Sequence, residues 1–123
     1  MMKVQEKTGI YLFTVDNLEG YEIVEYYGLV TGRAIYGANF VKDFFARIAD
    51  TIGGRASGYE RALEAAMEES LTQLAEKANR QGANAVMGID LDTTAMGPRM
   101  LMASCSGTAV KIRPVPASHR LAN

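Results

Sequence analysis

The stretch Ser57-Gly-Tyr-Glu-Arg-Ala-Leu-Glu-Ala-Ala-Met-Glu-Glu-Ser-Leu-Thr-Gln-Leu-Ala-Glu-Lys-Ala-Asn-Arg-Gln-Gly82, continuing as Ala83-Asn-Ala-Val-Met-Gly-Ile-Asp-Leu-Asp92, decides the fold. In its first part Leu63, Met67, Leu71, Leu74 and Ala78 recur at helical spacing and form one apolar stripe. Ser57 stands three residues before Glu60, the spacing of a capping box, and Gly82 supplies the left-handed residue that ends a helix. In the second part the period drops to two. Ala85, Met87, Ile89 and Leu91 then fall on one strand face, and Val86, Gly88, Asp90 and Asp92 on the other. Ordering backbone costs about 1–2 kcal/mol per residue, and burying a large apolar side chain returns roughly 1.5–3 kcal/mol. A helix with one such stripe therefore needs a sheet to lie on.

Working outward, Ile10 to Thr14 is β-branched and aromatic, and turn chemistry at Asp16-Asn17 and Gly20 closes it. Tyr21 to about Ile35 reads as a long extended segment with apolar residues on both faces, bent or bulged near Gly28, Gly32 and Gly37. Asn39 can cap a helix in which Phe40, Val41, Phe44, Phe45, Ile48, Ala49 and Ile52 repeat, before Gly53-Gly54 stops it. Met100 to Ile112 reads as a second long strand, ended by Pro114 and Pro116. The expected fold is α+β, an antiparallel sheet with helices packed on one face. Residues 1–112 form a single domain in this reading, and 113–123 a flexible C-terminal tail. A first long strand that is apolar on both faces calls for contact with another subunit.

Composition narrows the function. The chain of 123 residues has 13 basic and 14 acidic side chains, net charge −1, which gives no electrostatic case for nucleic acid or an anionic membrane. It has one histidine, His119, and one cysteine, Cys105, so a Cys/His zinc site, a Cys–His dyad and a Ser-His-Asp triad have almost no material to be built from. A lone cysteine cannot form an intrachain disulfide, the polar segment Met1–Gly9 lacks the apolar core of a signal peptide, and no stretch is apolar enough to span a membrane. The expected location is the cytoplasm.

Gly28-Leu-Val-Thr-Gly-Arg-Ala-Ile-Tyr-Gly-Ala-Asn39, Asp43-Phe-Phe, and Gly53-Gly-Arg55 with Tyr59-Glu60 resemble the YbjQ-like proteins. Gly82-Ala-Asn-Ala-Val-Met-Gly-Ile-Asp90-Leu-Asp92 and Met100-Leu-Met-Ala-Ser-Cys-Ser-Gly-Thr-Ala-Val110 extend the resemblance to nearly the whole domain, Tyr11 to Lys111. That family is filed under heavy-metal binding and has no established activity. The resemblance implies a small α+β subunit of the dodecin-subunit-like, YbjQ-like class and a homopentamer. In the family pattern serine follows Gly-Gly-Arg directly; here Ala56 holds that position and the hydroxyl moves to Ser57.

Five groups of residues bear on chemistry. Asp90 and Asp92 share a strand face with Cα atoms roughly 6.5 Å apart, and oxygen ligands so placed suit a hard divalent cation, with Glu22 or Glu25 as further ligands. Met96, Met100, Met102 and Cys105 are soft donors, but Met102 and Cys105 differ by an odd number and so point to opposite faces. Gly53, Gly54, Arg55 and Ser57 offer converging backbone N–H groups, a helix start and a forked cation, which together suit an anion; the alternative use of that segment is a hinge. The acidic row Glu60, Glu64, Glu68 reads as a solvated helix face, with Arg61 able to relieve Glu64. Tyr21, Tyr26, Tyr27 and Tyr36 suit interface packing or a planar ligand. Three functions follow from these groups: a non-enzymatic homo-oligomer binding a divalent metal ion or small ligand between subunits, an enzyme or binding module for an anionic, phosphorylated small molecule, and a structural or adaptor ring.

Overall fold

A computed structural model describes residues 2–37, 55–95 and 100–116, with the side chains of Met2 and residues 55–59 left out. The elements run α1 (Met2–Thr8), β1 (Tyr11–Leu12), β2 (Tyr21–Tyr36), α2 (Arg55–Gln81), β3 (Ala85–Ala95) and β4 (Leu101–Pro114). The expected helix over 40–52 lies outside the described residues. Strand order is β1-β3-β4-β2. The three long strands pair antiparallel, as expected, while the two-residue β1 pairs parallel with β3, so the complete sheet is mixed.

Small side chains set how α2 meets this sheet. Ala62, Ala66, Ser70, Leu74 and Ala78 are fully buried, and Leu71 nearly so. The C-terminal half of the expected stripe is therefore correct, but in the N-terminal half Leu63 and Met67 move to the flank and alanines take the centre. The reason is distance: Gly32 on β2 packs against the α2 backbone at Ser70, and a Cβ on Gly32 would overlap the Ser70 carbonyl. The Ser70 hydroxyl donates to Met67 O at 2.8 Å, so its burial leaves no polar atom unsatisfied. Ser57 already lies within the first turns of α2 rather than capping it. At the other end Gly82, at φ +94°, stops the helix, and Ala83 N–H closes on Ala78 O at 3.1 Å.

The polar stretch before Gly9 forms α1, which the sequence reading left unassigned. Among its described side chains only Val4 is deeply buried, and Gln5 Oε1 accepts the Leu12 N–H at 2.8 Å, tying the helix to β1. Asn84 extends the pairing of β3 with β4: its side chain accepts from Ile112 N–H at 2.8 Å and donates to Ile112 O at 2.9 Å. β4 itself runs two residues beyond Ile112, with Glu22 opposite Arg113 and Tyr21 opposite Pro114.

Three bulges control which side chains face where. Two lie in β2, between Ile23 and Glu25 and between Tyr26 and Gly28, the latter at a glycine with φ +103°. The third lies in β3 between Met87 and Asp90, where Gly88 has φ +63°. It corrects the expected alternation. Val86, Ile89 and Leu91 pack toward α2, whereas Ala85 and Met87 join Val110 and Ile112 in a second small core on the opposite face, covered by Phe13 and Leu18.

Candidate functional site

Directly paired residues in neighbouring strands share a face, so the register locates every side chain of the sheet. Leu91 pairs with Cys105, and Cys105 with Gly32; these three face α2. The residues between them face the other way, in two rows that cross three strands. One row is Asp92–Ser104–Arg33 and the other is Asp90–Ser106–Thr31. Asp90 and Asp92 therefore do share a face, as the spacing requires, because both lie beyond the β3 bulge.

These rows border a concavity of about 500 Å³, to which α2 adds Gln73 and Lys77. Gln73 reaches the outer edge of β2, where its Oε1 accepts the Arg33 backbone N–H at 3.1 Å. Asp90, Asp92, Arg33 and Lys77 are exposed, and Ser104 and Ser106 half-buried. The polar rows end in apolar residues on the same face: Leu29, 73% exposed, on one side and Ile35, 53% exposed, on the other.

The other expected donors go elsewhere. Glu22 accepts from Arg113 Nε at 2.7 Å, and Glu25 accepts from the Tyr27 hydroxyl at 2.8 Å. No group of three His, Cys, Asp or Glu side chains able to hold a metal occurs among the described residues. Cys105 is buried on the α2 side, its thiol facing Ser70 O at 3.3 Å and Gly32 O at 3.8 Å. Burial pushes that thiol's pKa up, against the smaller opposing influence of these contacts and of Lys77. Met102 lies on the open face beside Ile35, so the sheet separates it from the thiol as the odd spacing implies. Met102 and Cys105 therefore do not form a soft thiolate–thioether pair within one chain.

Gly53 and Gly54 of the anion candidate lie outside the described residues, as do Met96 and His119. Of Arg55 and Ser57 only the helical backbone is described. Glu60 and Glu64 are solvent-exposed, and Glu68 is half-buried. The tyrosines do not converge: Tyr26 is 69% exposed, Tyr27 packs on the main core, and Tyr36 donates to Glu69 Oε2 at 2.5 Å near Ala62 and Leu101. Arg33, Lys77 and Gln73 were not expected at a site. The serines alternate visibly along β4, but only the spatial order β3-β4-β2 brings Arg33 opposite Asp92.

A family model described as "Putative heavy-metal-binding" matches residues 10–113. A "UPF0145 protein" of Carboxydothermus hydrogenoformans is 48% identical over 103 residues, covering 84% of this chain and 96% of the relative. Among solved structures, a protein of unknown function from the DUF74 family of Pediococcus pentosaceus is similar at TM-score 0.47 and 17% identity, over 85% of this chain and 99% of that one. By the extent of the family match and the identity to the UPF0145 relative, this protein belongs to the YbjQ family.

Proposed function

We propose that the protein is a non-enzymatic homopentamer that binds a metal ion or small polar ligand between its subunits, on the helix-free face of the sheet. The observation that carries this reading is the composition of that face. Two carboxylates and two serine hydroxyls line one concavity, with exposed Leu29 and Ile35 bordering it. With only two acidic ligands there, one chain leaves a cation under-coordinated, since hard divalent ions take six or more oxygens. A neighbouring subunit seated on the apolar borders would complete the site and cover the exposed side chains. The pentameric number comes from the resemblance to the family, and the absence of catalysis from the scarcity of histidine and cysteine. A single buried thiol suits a reducing compartment, so the cytoplasm is the proposed location.

Native mass spectrometry of untagged protein, purified without chelator, tests both parts. A pentamer carrying a stoichiometric extra mass supports the reading. A monomer overturns the assembly, and a bare pentamer overturns a resident ligand.

A further inference from the structure

The concavity beside Asp90 and Asp92 also holds two cations, and that decides between ligand classes. Arg33 and Lys77 line the same space as the two carboxylates, with Ser104 between Asp92 and Arg33 and Ser106 between Asp90 and Thr31. A bare divalent ion drawn to the carboxylates would share the concavity with the guanidinium and the ammonium, and these like charges oppose its binding. The described residues show no ion pair of Asp90 or Asp92 with Arg33 or Lys77. Both signs of charge therefore remain available to a guest.

We propose that this site takes a small zwitterion, an organic ammonium and a carboxylate separated by several bonds, as in ω-amino acids and dipeptides. The proposal rests on the reading above that this concavity binds a ligand. Asp92 and Arg33 each pair with Ser104 from opposite sides, which places their backbones two strand spacings apart, about 10 Å. The ammonium would lie against Asp90 and Asp92, the carboxylate against Arg33 and Lys77, and the chain between them over the serine hydroxyls. An arginine fork suits a carboxylate, and two carboxylates suit the three donors of an ammonium. An α-amino acid is too short to reach both ends. A volume of about 500 Å³ accommodates a molecule of this size.

The test is calorimetric titration of the intact assembly with 6-aminohexanoate and glycylglycine. Hexanoate and pentylamine serve as singly charged analogues, and Mg²⁺ and Zn²⁺ as bare ions. At least one zwitterion should bind tenfold or more tightly than either analogue. Asp92→Asn should reduce its affinity tenfold or more toward that of hexanoate, and Arg33→Gln toward that of pentylamine. Both side chains are exposed, so these variants should fold, which circular dichroism verifies. Zwitterions that bind no better than pentylamine overturn the proposal. Metal ions that bind while zwitterions do not overturn it too, but leave the broader binding function standing. If no probe binds, both fall.

Discussion

Gly32 of β2 lies directly beneath Ser70 of α2, so close that its missing side chain is a condition of the packing. The same approach brings the Ser70 and Gly32 carbonyls within reach of the Cys105 thiol. A single glycine thus sets both the helix-to-sheet distance and the surroundings of the only cysteine. Gly32→Ala should lower stability by about 1–3 kcal/mol, the cost of forcing extra volume into a packed core. A fall in the urea midpoint with unchanged slope would show it; an unchanged midpoint would mean that α2 can lift off the sheet freely.

Cys105 should behave as a core residue rather than a metal ligand. Burial holds its thiol protonated at neutral pH, and the reactive form is the thiolate. A disulfide reagent such as dithiobis-nitrobenzoate should label the native protein slowly and the urea-unfolded protein at once. Cd²⁺ added to the folded protein should give no thiolate-to-metal absorption in the ultraviolet. Rapid native labelling would contradict the buried position.

Stability should decline in alkali for a stated reason. Tyr36 has its pKa raised by burial, by its hydrogen bond to Glu69 and by the charges of Glu69 and Glu68; burial likewise raises that of Cys105. A group whose pKa is higher in the folded state binds more protons there than in the unfolded chain, so stability falls as pH rises. The stabilisation is complete below the unfolded values, 9.0 for the thiol and 10.0 for the phenol, and is lost progressively above them. Urea midpoints measured at pH 7, 9 and 10.5 should fall over the upper interval. The fall should be shallower in Tyr36→Phe, and an equal fall would remove Tyr36 as its source.

Period was legible where large side chains carry it and no bulge interrupts it; the β3 bulge and the contacts between elements were not. The α2 pattern from Leu71 to Ala78 is carried by large side chains, which hydropathy registers. Ala62, Ala66 and Ser70 are central only because Gly32, Ala34 and Ala103 oppose them, and no single-segment pattern contains that fact. The short α1 was invisible because, among its described side chains, only Val4 is deeply buried, and its anchor is a bond to Gln5 from Leu12, beyond the helix. The site shows the same division. Asp90 and Asp92 were found from spacing within one strand, whereas Arg33 is separated from them by the chain between 33 and 90 and joins them only through β4.

The exposed ion pair of Arg113 with Glu22 should matter little, despite its 2.7 Å distance, because both side chains are substantially solvated. Glu22→Gln should change stability by no more than about 1 kcal/mol. It should leave ligand affinity at the Asp90–Asp92 face unchanged, since Glu22 is engaged with Arg113 rather than with that face. A large loss of affinity in this variant would show that Glu22 contributes to the site after all.

The orientation of the site depends on Gly88. One extra β3 residue between Met87 and Asp90 turns Ile89 and Leu91 toward α2 and sends Asp90 and Asp92 to the open face. Were the same residues to alternate regularly, with no bulge, the strand would bury two carboxylates under the helix and expose two aliphatic side chains, so the bulge and the core support each other. The loop after β1 holds the bulge in place: Val15 O accepts from Gly88 N–H at 2.9 Å and Phe13 O from Ile89 N–H at 3.0 Å. Gly88 sits at φ +63°, and a Cβ there would stand 2.9 Å from Asp16 Oδ1, the exposed end of a side chain that can move aside. The cost of Gly88→Ala is therefore mainly conformational, about 1–2 kcal/mol. Gly88→Asn should cost less, because asparagine tolerates the left-handed region better than alanine does. Thermal melts of the two variants test the order. If alanine were the milder change, backbone conformation would not be what places the two carboxylates, and crowding around Asp16 would have to be the controlling factor instead.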